Sequence, residues 1–384
     1  MNDLGRREFT RLALAAFAAA ALPANAYEPQ PPAASARGRR VYQRAVVIDG
    51  CGGPGGFVPD DPGNTPLTAA MVADAKSSGI TAVNLTVGAI GNGASVFEDT
   101  LFGIGMAENE VASHPDTLMR ITHAAHLHEA KKSGRLGLIY GFQDGSMLGS
   151  DLQRLETFYH LGVRIIQPTY NIRNLIGDGC LEAANAGLSN FGRGVLARME
   201  QLGILLDLSH CGQRTTAEAI AAAKIPMAIT HSGCAAIANV PRNKRDEELR
   251  AMAAKGGVVG IYFMPFLRMS GQPTSADAIA HLDHAINVCG EDHVGLGTDG
   301  YISAIQLDDT FRNAHRRSVE QRRAQGISAP GEDENVFNFL PDLNTPRRFE
   351  TLVDMLLAHG YSEARVEKVL GGNFARLFGE VWKR

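Results

Sequence analysis

Ile204-Leu205-Leu206-Asp207-Leu208-Ser209-His210 and Ile225-Pro226-Met227-Ala228-Ile229-Thr230-His231 are two short apolar runs, each closed by a histidine. Runs of this length with polar ends fit buried strands, and a helical pattern separates them. Outward from this pair the same unit recurs. Apolar, β-branched runs at 45–49, 80–87, 136–142 and 163–169 precede it, and runs at 258–263 and 294–299 follow it. Eight such runs alternating with helical stretches predict an α/β fold, with eight parallel strands closed as a (β/α)8 barrel. In that architecture function gathers at the C-terminal ends of the strands. Those ends carry Asp49, Gln143, Tyr170, His210, His231 and Asp299. A doubly wound open sheet is the competing arrangement. The glycine-rich segment 50–56 lacks both its Gly-x-Gly-x-x-Gly spacing and a following amphipathic helix.

The chain has 384 residues, with 37 Lys and Arg against 41 Asp and Glu, a formal net charge of −4. This balance argues against a nucleic-acid partner. Hydrophobic residues make up 45% and charged residues 20%, the composition of an ordinary globular protein with a sizeable core. The start of the chain differs from the rest. Arg6-Arg7-Glu8-Phe9-Thr10-Arg11-Leu12 leads into an Ala/Leu/Phe stretch ending at Leu22, followed by Ala24-Asn25-Ala26. The apolar stretch is shorter than the roughly 20 residues of a membrane span and ends in a small-x-small cleavage pattern. Residues 1–26 therefore read as a twin-arginine-like signal, which predicts a periplasmic protein exported already folded, with no membrane span after cleavage.

After this signal, 27–40 reads as a linker and 41–384 as the barrel, with a polar, loop-like insertion at about 305–345. Two helical patterns close the chain, at 345–359 and 362–382, and Gly371-Gly372-Asn373 is expected to break the second. The 5 cysteines, an odd number without paired spacing, do not indicate a disulfide framework.

The two histidines carry the sharpest chemical signal. Closing successive strands of a barrel, their imidazoles converge on one pocket and offer neutral nitrogen to a metal such as zinc, and Asp299 is placed to move a proton. Arg242, eleven residues beyond His231, is suited to capture a substrate carboxylate through its planar fork.

The order Gly187-Leu188-Ser189-Asn190-Phe191-Gly192, Asp207-Leu208-Ser209-His210, Thr230-His231-Ser232, Arg242-Asn243, Gly297-Thr298-Asp299 resembles the renal (membrane) dipeptidase family of zinc peptidases over nearly all of the mature chain. The resemblance implies a TIM barrel of the metallo-dependent hydrolase type. It also implies two zinc ions joined by a bridging carboxylate, and hydrolysis of dipeptides by metal-activated water. His210 and His231 match the family's zinc-binding histidines, Arg242 its substrate-carboxylate arginine and Asp299 its catalytic aspartate. Three positions depart from the pattern. Cys51-Gly52-Gly53 stands where the family has His-x-Asp, Gln143 where it has the bridging Glu, and Tyr170 where it has a substrate-contacting His.

A neutral amide cannot offset the repulsion of two dications as a carboxylate does, so one zinc is expected rather than two. His210 and His231 would hold it, completed by Cys51, Gln143 or Asp299, with Tyr170 donating to the developing oxyanion. The expected activity is cleavage of the amide bond of a dipeptide or related small amide, and a homodimer is left open. Two other readings stand beside it. One is an altered or inactive family member acting as a small-molecule binding protein; the other is metal-free chemistry with Cys51 as nucleophile.

Overall fold

A computed structural model describes residues 34–58 and 65–382 of the chain. The signal assigned to 1–26 lies outside these residues. All eight expected runs contain strands, named here with three others in chain order: β1 (Ile48–Asp49), β2 (Gly52–Gly53), β3 (Ala82–Thr86), β4 (Leu118–Arg120), β5 (Leu136–Phe142), β6 (Val163–Ile166), β7 (Leu205–Leu206), β8 (Ala228–Ser232), β9 (Val258–Ile261), β10 (Val294–Leu296) and β11 (Gly300–Tyr301). Parallel pairing runs β1-β3-β5-β6-β7 in one arc and β8-β9-β10 in another. Hydrogen bonds join the arcs at both seams. Leu208 N donates to Ala228 O at 2.9 Å, and Gly50 N donates to Leu296 O at 2.8 Å. The eight strands thereby close a barrel without an open edge. β4 pairs only with the start of β5, and β2 pairs with β11 beyond the ends of β1 and β10.

Two hydrophobic packings hold this shape. Helices outside the barrel press apolar stripes on it. Asn190–Leu202, for example, is capped where Gly192 N donates to Ser189 Oγ, and it buries Val195, Leu196 and Met199. Residues at or near the strand starts, including Ile48, Ala82, Leu205, Ala228 and Val258, pack with Phe374, Leu377, Phe378 and Trp382. The C-terminal helix Asn373–Val381 therefore plugs the barrel at the N-terminal ends of its strands and leaves the other end for function. The break expected at Gly371-Gly372-Asn373 is present, with non-helical backbone at Gly371. A Cβ on Gly371 would lie 2.6 Å from both Ile48 N and Val46 O, so only glycine lets this turn approach β1.

Two expectations change. Of the linker assigned to 27–40, residues 27–33 lie outside the described residues, and the described part runs into a helix at Ala36–Arg44, capped by Ser35 Oγ and tied by Arg44 to Glu363 and Glu367. The insertion at 305–345 is a packed lobe rather than a loop. Helix Asp309–Ala324 starts with Phe311 N donating to Asp308 Oδ1. It buries Phe311, His315, Val319 and Arg322, an i, i+4 stripe concealed in the sequence by the charges around it. Phe311 packs there with Ile305, Phe337 and Phe339. Among the described residues no helix is long and apolar enough to cross a membrane.

Candidate metal centre

The strand ends are pinned by two matching carboxylate clamps. Asp207 accepts from Thr230 N at 2.9 Å and Thr230 Oγ1 at 2.6 Å, and also from Ser209 N and Ser209 Oγ. Across the other seam, Asp49 accepts from Thr298 N at 2.7 Å and Thr298 Oγ1 at 2.6 Å. Each clamp fixes the residue just before a candidate functional one, His231 or Asp299. Burial pushes the Asp49 carboxyl up to about 7, against the pull of its Thr298 hydrogen bonds. The register of β8 shifts between Ile229 and Ser232, and the Thr230 carbonyl turns toward Gly50, Gly260 and Gly297. A Cβ at any of the three would collide with that oxygen, which is why glycine occupies them.

Hydrogen-bond directions then decide the protons on both imidazoles. Thr230 gives its only hydroxyl proton to Asp207, so toward His231 Nδ1, 2.9 Å away, it can only accept. His231 therefore carries its proton on Nδ1. Asn171 Nδ2 donates to the Ile327 carbonyl at 3.1 Å, which turns its Oδ1 toward His210 Nδ1 at 2.7 Å. His210 likewise carries its proton on Nδ1. The two Nε2 atoms, both left with bare lone pairs, face each other at 3.1 Å. Burial holds both imidazoles below their usual pKa, with the Arg242 charge adding to the effect, so a shared proton is a poor solution. A cation between them is a good one. Two nitrogens on a tetrahedral zinc stand roughly 3.3 Å apart, close to the spacing found.

The remaining candidates lie beside this pair. Ligand atoms of Cys51, His231 and Asp299 all fall within 4.8 Å of one another. Asp299 has φ 59°, a left-handed backbone rare outside glycine, and its N–H is held by Cys51 O at 2.7 Å. The Cys51 thiol donates to Asp299 Oδ1 at 3.3 Å; burial and the nearby carboxylates push it well above its ordinary pKa. A nucleophilic thiolate is disfavoured by both causes.

Gln143 does not behave as a ligand. Its Nε2 faces Thr86 Oγ1 at 3.0 Å, Cys51 Sγ at 3.2 Å and Asp299 Oδ1 at 3.4 Å, and only an N–H can serve that carboxylate. Gly53 sits in the short β2–β11 pair and offers no ligand. The donor set at His210 and His231, with Cys51 and Asp299 beside it, thus fits a cation.

Arg242 and Tyr170 border the pair. Arg242 is only 2% exposed. Its Nη1 donates to Ser209 O at 2.6 Å and its Nη2 to His231 O at 3.5 Å. The other guanidinium N–H groups have no protein acceptor among the described residues, so this buried cation awaits an anion. The Tyr170 ring stacks on His210 with centroids 4.1 Å apart and planes at 28°. The sequence pattern points to the strand-end residues, but Asp207, Thr230, Asn171 and Arg322 went unread. The first two carry a signal, an Asp-x-Ser-His followed by a Thr-His.

The sequence profile of the membrane dipeptidase family, peptidase family M19, matches residues 65–312. The chain belongs to this family. It is accordingly a metal-dependent, dipeptidase-like hydrolase, and its barrel is the metallo-dependent hydrolase type. A solved amidohydrolase from Pseudomonas aeruginosa shares 30% identity, with 90% of this chain and 99% of that one covered at a TM-score of 0.76. An uncharacterized protein in the pqqA 5' region of Klebsiella pneumoniae is 28% identical over 272 residues, 68% of this chain and 88% of the relative. Dipeptidase verJ of Clonostachys rogersoniana is 29% identical over 218 residues, 56% of each chain.

Proposed function

We propose that this membrane dipeptidase relative hydrolyses the amide bond of a dipeptide or a closely related small amide at a centre with one zinc-type cation. The observation that carries the reading is the pair of unprotonated Nε2 atoms of His210 and His231 facing each other at 3.1 Å. Cys51 and Asp299 complete the donor set around His231. Such a cation, when bound, polarises a carbonyl and makes a water acidic enough to attack near neutral pH. Arg242 receives the substrate carboxylate on its free N–H groups, which places the amide against the histidine pair. Asp299 takes the proton released by the attacking water and returns it to the departing amine. The Tyr170 phenol, held beside the pair by its ring stack on His210, donates to the developing oxyanion. The dipeptidase verJ match supports the substrate class. The arginine pair at Arg6-Arg7 supports twin-arginine export of a folded protein to the periplasm.

The test is zinc content of the purified protein beside turnover of a panel of dipeptides. About one equivalent in wild type, lost in the His210→Ala, His231→Ala double variant together with turnover, is the expected result. Zinc retained in full by the double variant overturns the placement. Zinc bound normally with no dipeptide cleaved overturns the reaction and leaves a binding protein.

A further inference from the structure

Helix Asp309–Ala324 and the turns after it lie outside the barrel, yet they reach the metal centre. Arg322, 8% exposed, forms a two-pronged ion pair with Glu332, at 2.7 Å from Nε and 2.8 Å from Nη2, and its Nη2 also donates to the Ile327 carbonyl at 3.4 Å. Glu332 is held in turn by Ala329 N at 3.1 Å and Ser328 Oγ at 3.2 Å. The Ile327 carbonyl takes the Asn171 amide proton and so turns Asn171 Oδ1 to His210 Nδ1. The edge of one imidazole is thereby held by a chain of contacts anchored in the lobe, while the Tyr170 ring covers its face.

We propose that Arg322 is a positioning residue for the metal centre, acting through the Ile327 carbonyl and Asn171 on His210. The inference rests on the single-cation reading above. Its physical content is specific. Without the Ile327 carbonyl the Asn171 amide is free to turn and offer Nδ2 to His210, which reverses the tautomer and puts a proton on the Nε2 that a cation needs. Without Arg322 the turn that carries Ile327 loses its anchor and the carbonyl its fixed place. Arginine suits this place better than lysine. Its rigid fork serves both oxygens of Glu332 while another N–H reaches the Ile327 carbonyl. Outer-shell partners of metal-binding histidines typically carry 10- to 100-fold in metal affinity, so the lobe is expected to tighten the site rather than merely cover it.

The experiment uses the full chain and zinc alone, with affinity read by competition against a chromophoric chelator at one pH. Arg322→Gln and Asn171→Ala are expected to bind zinc about tenfold or more weakly while keeping the wild-type melting profile. Arg323→Ala, an exposed neighbour on the same helix that pairs with Asp333, should match wild type. Arg322→Lys should fall between wild type and Arg322→Gln. Unchanged affinity in Arg322→Gln and Asn171→Ala, with wild type binding zinc, overturns the proposal alone. A wild type that takes up no zinc overturns the single-cation reading instead. Should Arg322→Gln fail to fold, Glu332→Gln loosens the same link from the other end. Weaker zinc binding there upholds the proposal, and equal binding sinks it.

Discussion

Thr230 has one hydroxyl proton, and the geometry spends it on Asp207, which makes the threonine an acceptor for His231. This is a tautomer lock built from two uncharged contacts and one carboxylate. Thr230→Val keeps the shape and removes the lock. His231 Nδ1 and one lone pair of Asp207 are then left unpaired in a site without water-exposed room, at a cost of about 1–3 kcal/mol. Zinc affinity is expected to fall between 10- and 100-fold, as is typical for lost partners of ligating histidines. Thr230→Ser should stay close to wild type in both. Urea denaturation and zinc competition on the two variants check this; a Thr230→Val protein that binds zinc normally would show that His231 needs no acceptor. Gly297 makes a second residue-scale case. Its missing Cβ leaves room for the Thr230 carbonyl, so Gly297→Ala must push β10 away from β8 across the barrel. A loss of about 3 kcal/mol or more is expected, the range of overpacked or strained sites. An Ala variant as stable as wild type would contradict the closeness of that approach.

At the scale of elements, the C-terminal helix is the most consequential piece outside the barrel. Phe374, fully buried, sets its ring against Gly50 and Gly295 and fills space that no strand side chain reaches. Phe374→Ala is expected to cost about 3–5 kcal/mol. Ser189→Ala, which removes only the cap of Asn190–Leu202, should cost about 1 kcal/mol. Comparable losses in the two variants, measured by urea denaturation, would refute the plug. The difference between legible and illegible elements has the same physical root. The eight barrel strands could be read because each lies in a mostly apolar run, as β5 is over all seven residues, buried throughout. The break at Gly371 could be read because paired glycines interrupt an amphipathic pattern. Helix Asp309–Ala324 could not, because its apolar stripe is thin and its other faces are charged. Within the site, His210, His231 and Asp299 were legible as polar ends of apolar runs, and Cys51 only against the family's pattern. Asn171 was not, since its role is set by a carbonyl 156 residues away in sequence. Gln143 was read as a ligand, and only the position of Asp299 beside its amide shows it to be a donor.

For the molecule as a whole, buried histidines tie stability to pH. His281 is fully buried, accepts from Cys234 N at Nδ1 and donates from Nε2 to Leu267 O. A second proton would collide with the Cys234 N–H, and burial lowers the pKa to about 4. His315, with burial as its cause, is lowered to about 3. The sign follows from proton counting. Above the unfolded value of about 6.5 neither state binds the proton and stability is complete. Below it the unfolded chain binds protons that the native state refuses, so stability falls as pH drops from about 6.5 toward the native values. Asp49, raised to about 7, works in the opposite direction, because the native state takes its proton first as pH falls. His210 and His231, also held below their usual pKa by burial, act in the same direction as His281 and His315. His281→Asn isolates one term: its amide preserves the acceptor for Cys234 and does not titrate. Urea denaturation at pH 7.5 and pH 5 should show wild type losing about 2 kcal/mol more than the variant between the two. Parallel losses would mean that His281 takes its proton without unfolding, which the short Cys234 contact forbids unless the loop following β8 rearranges.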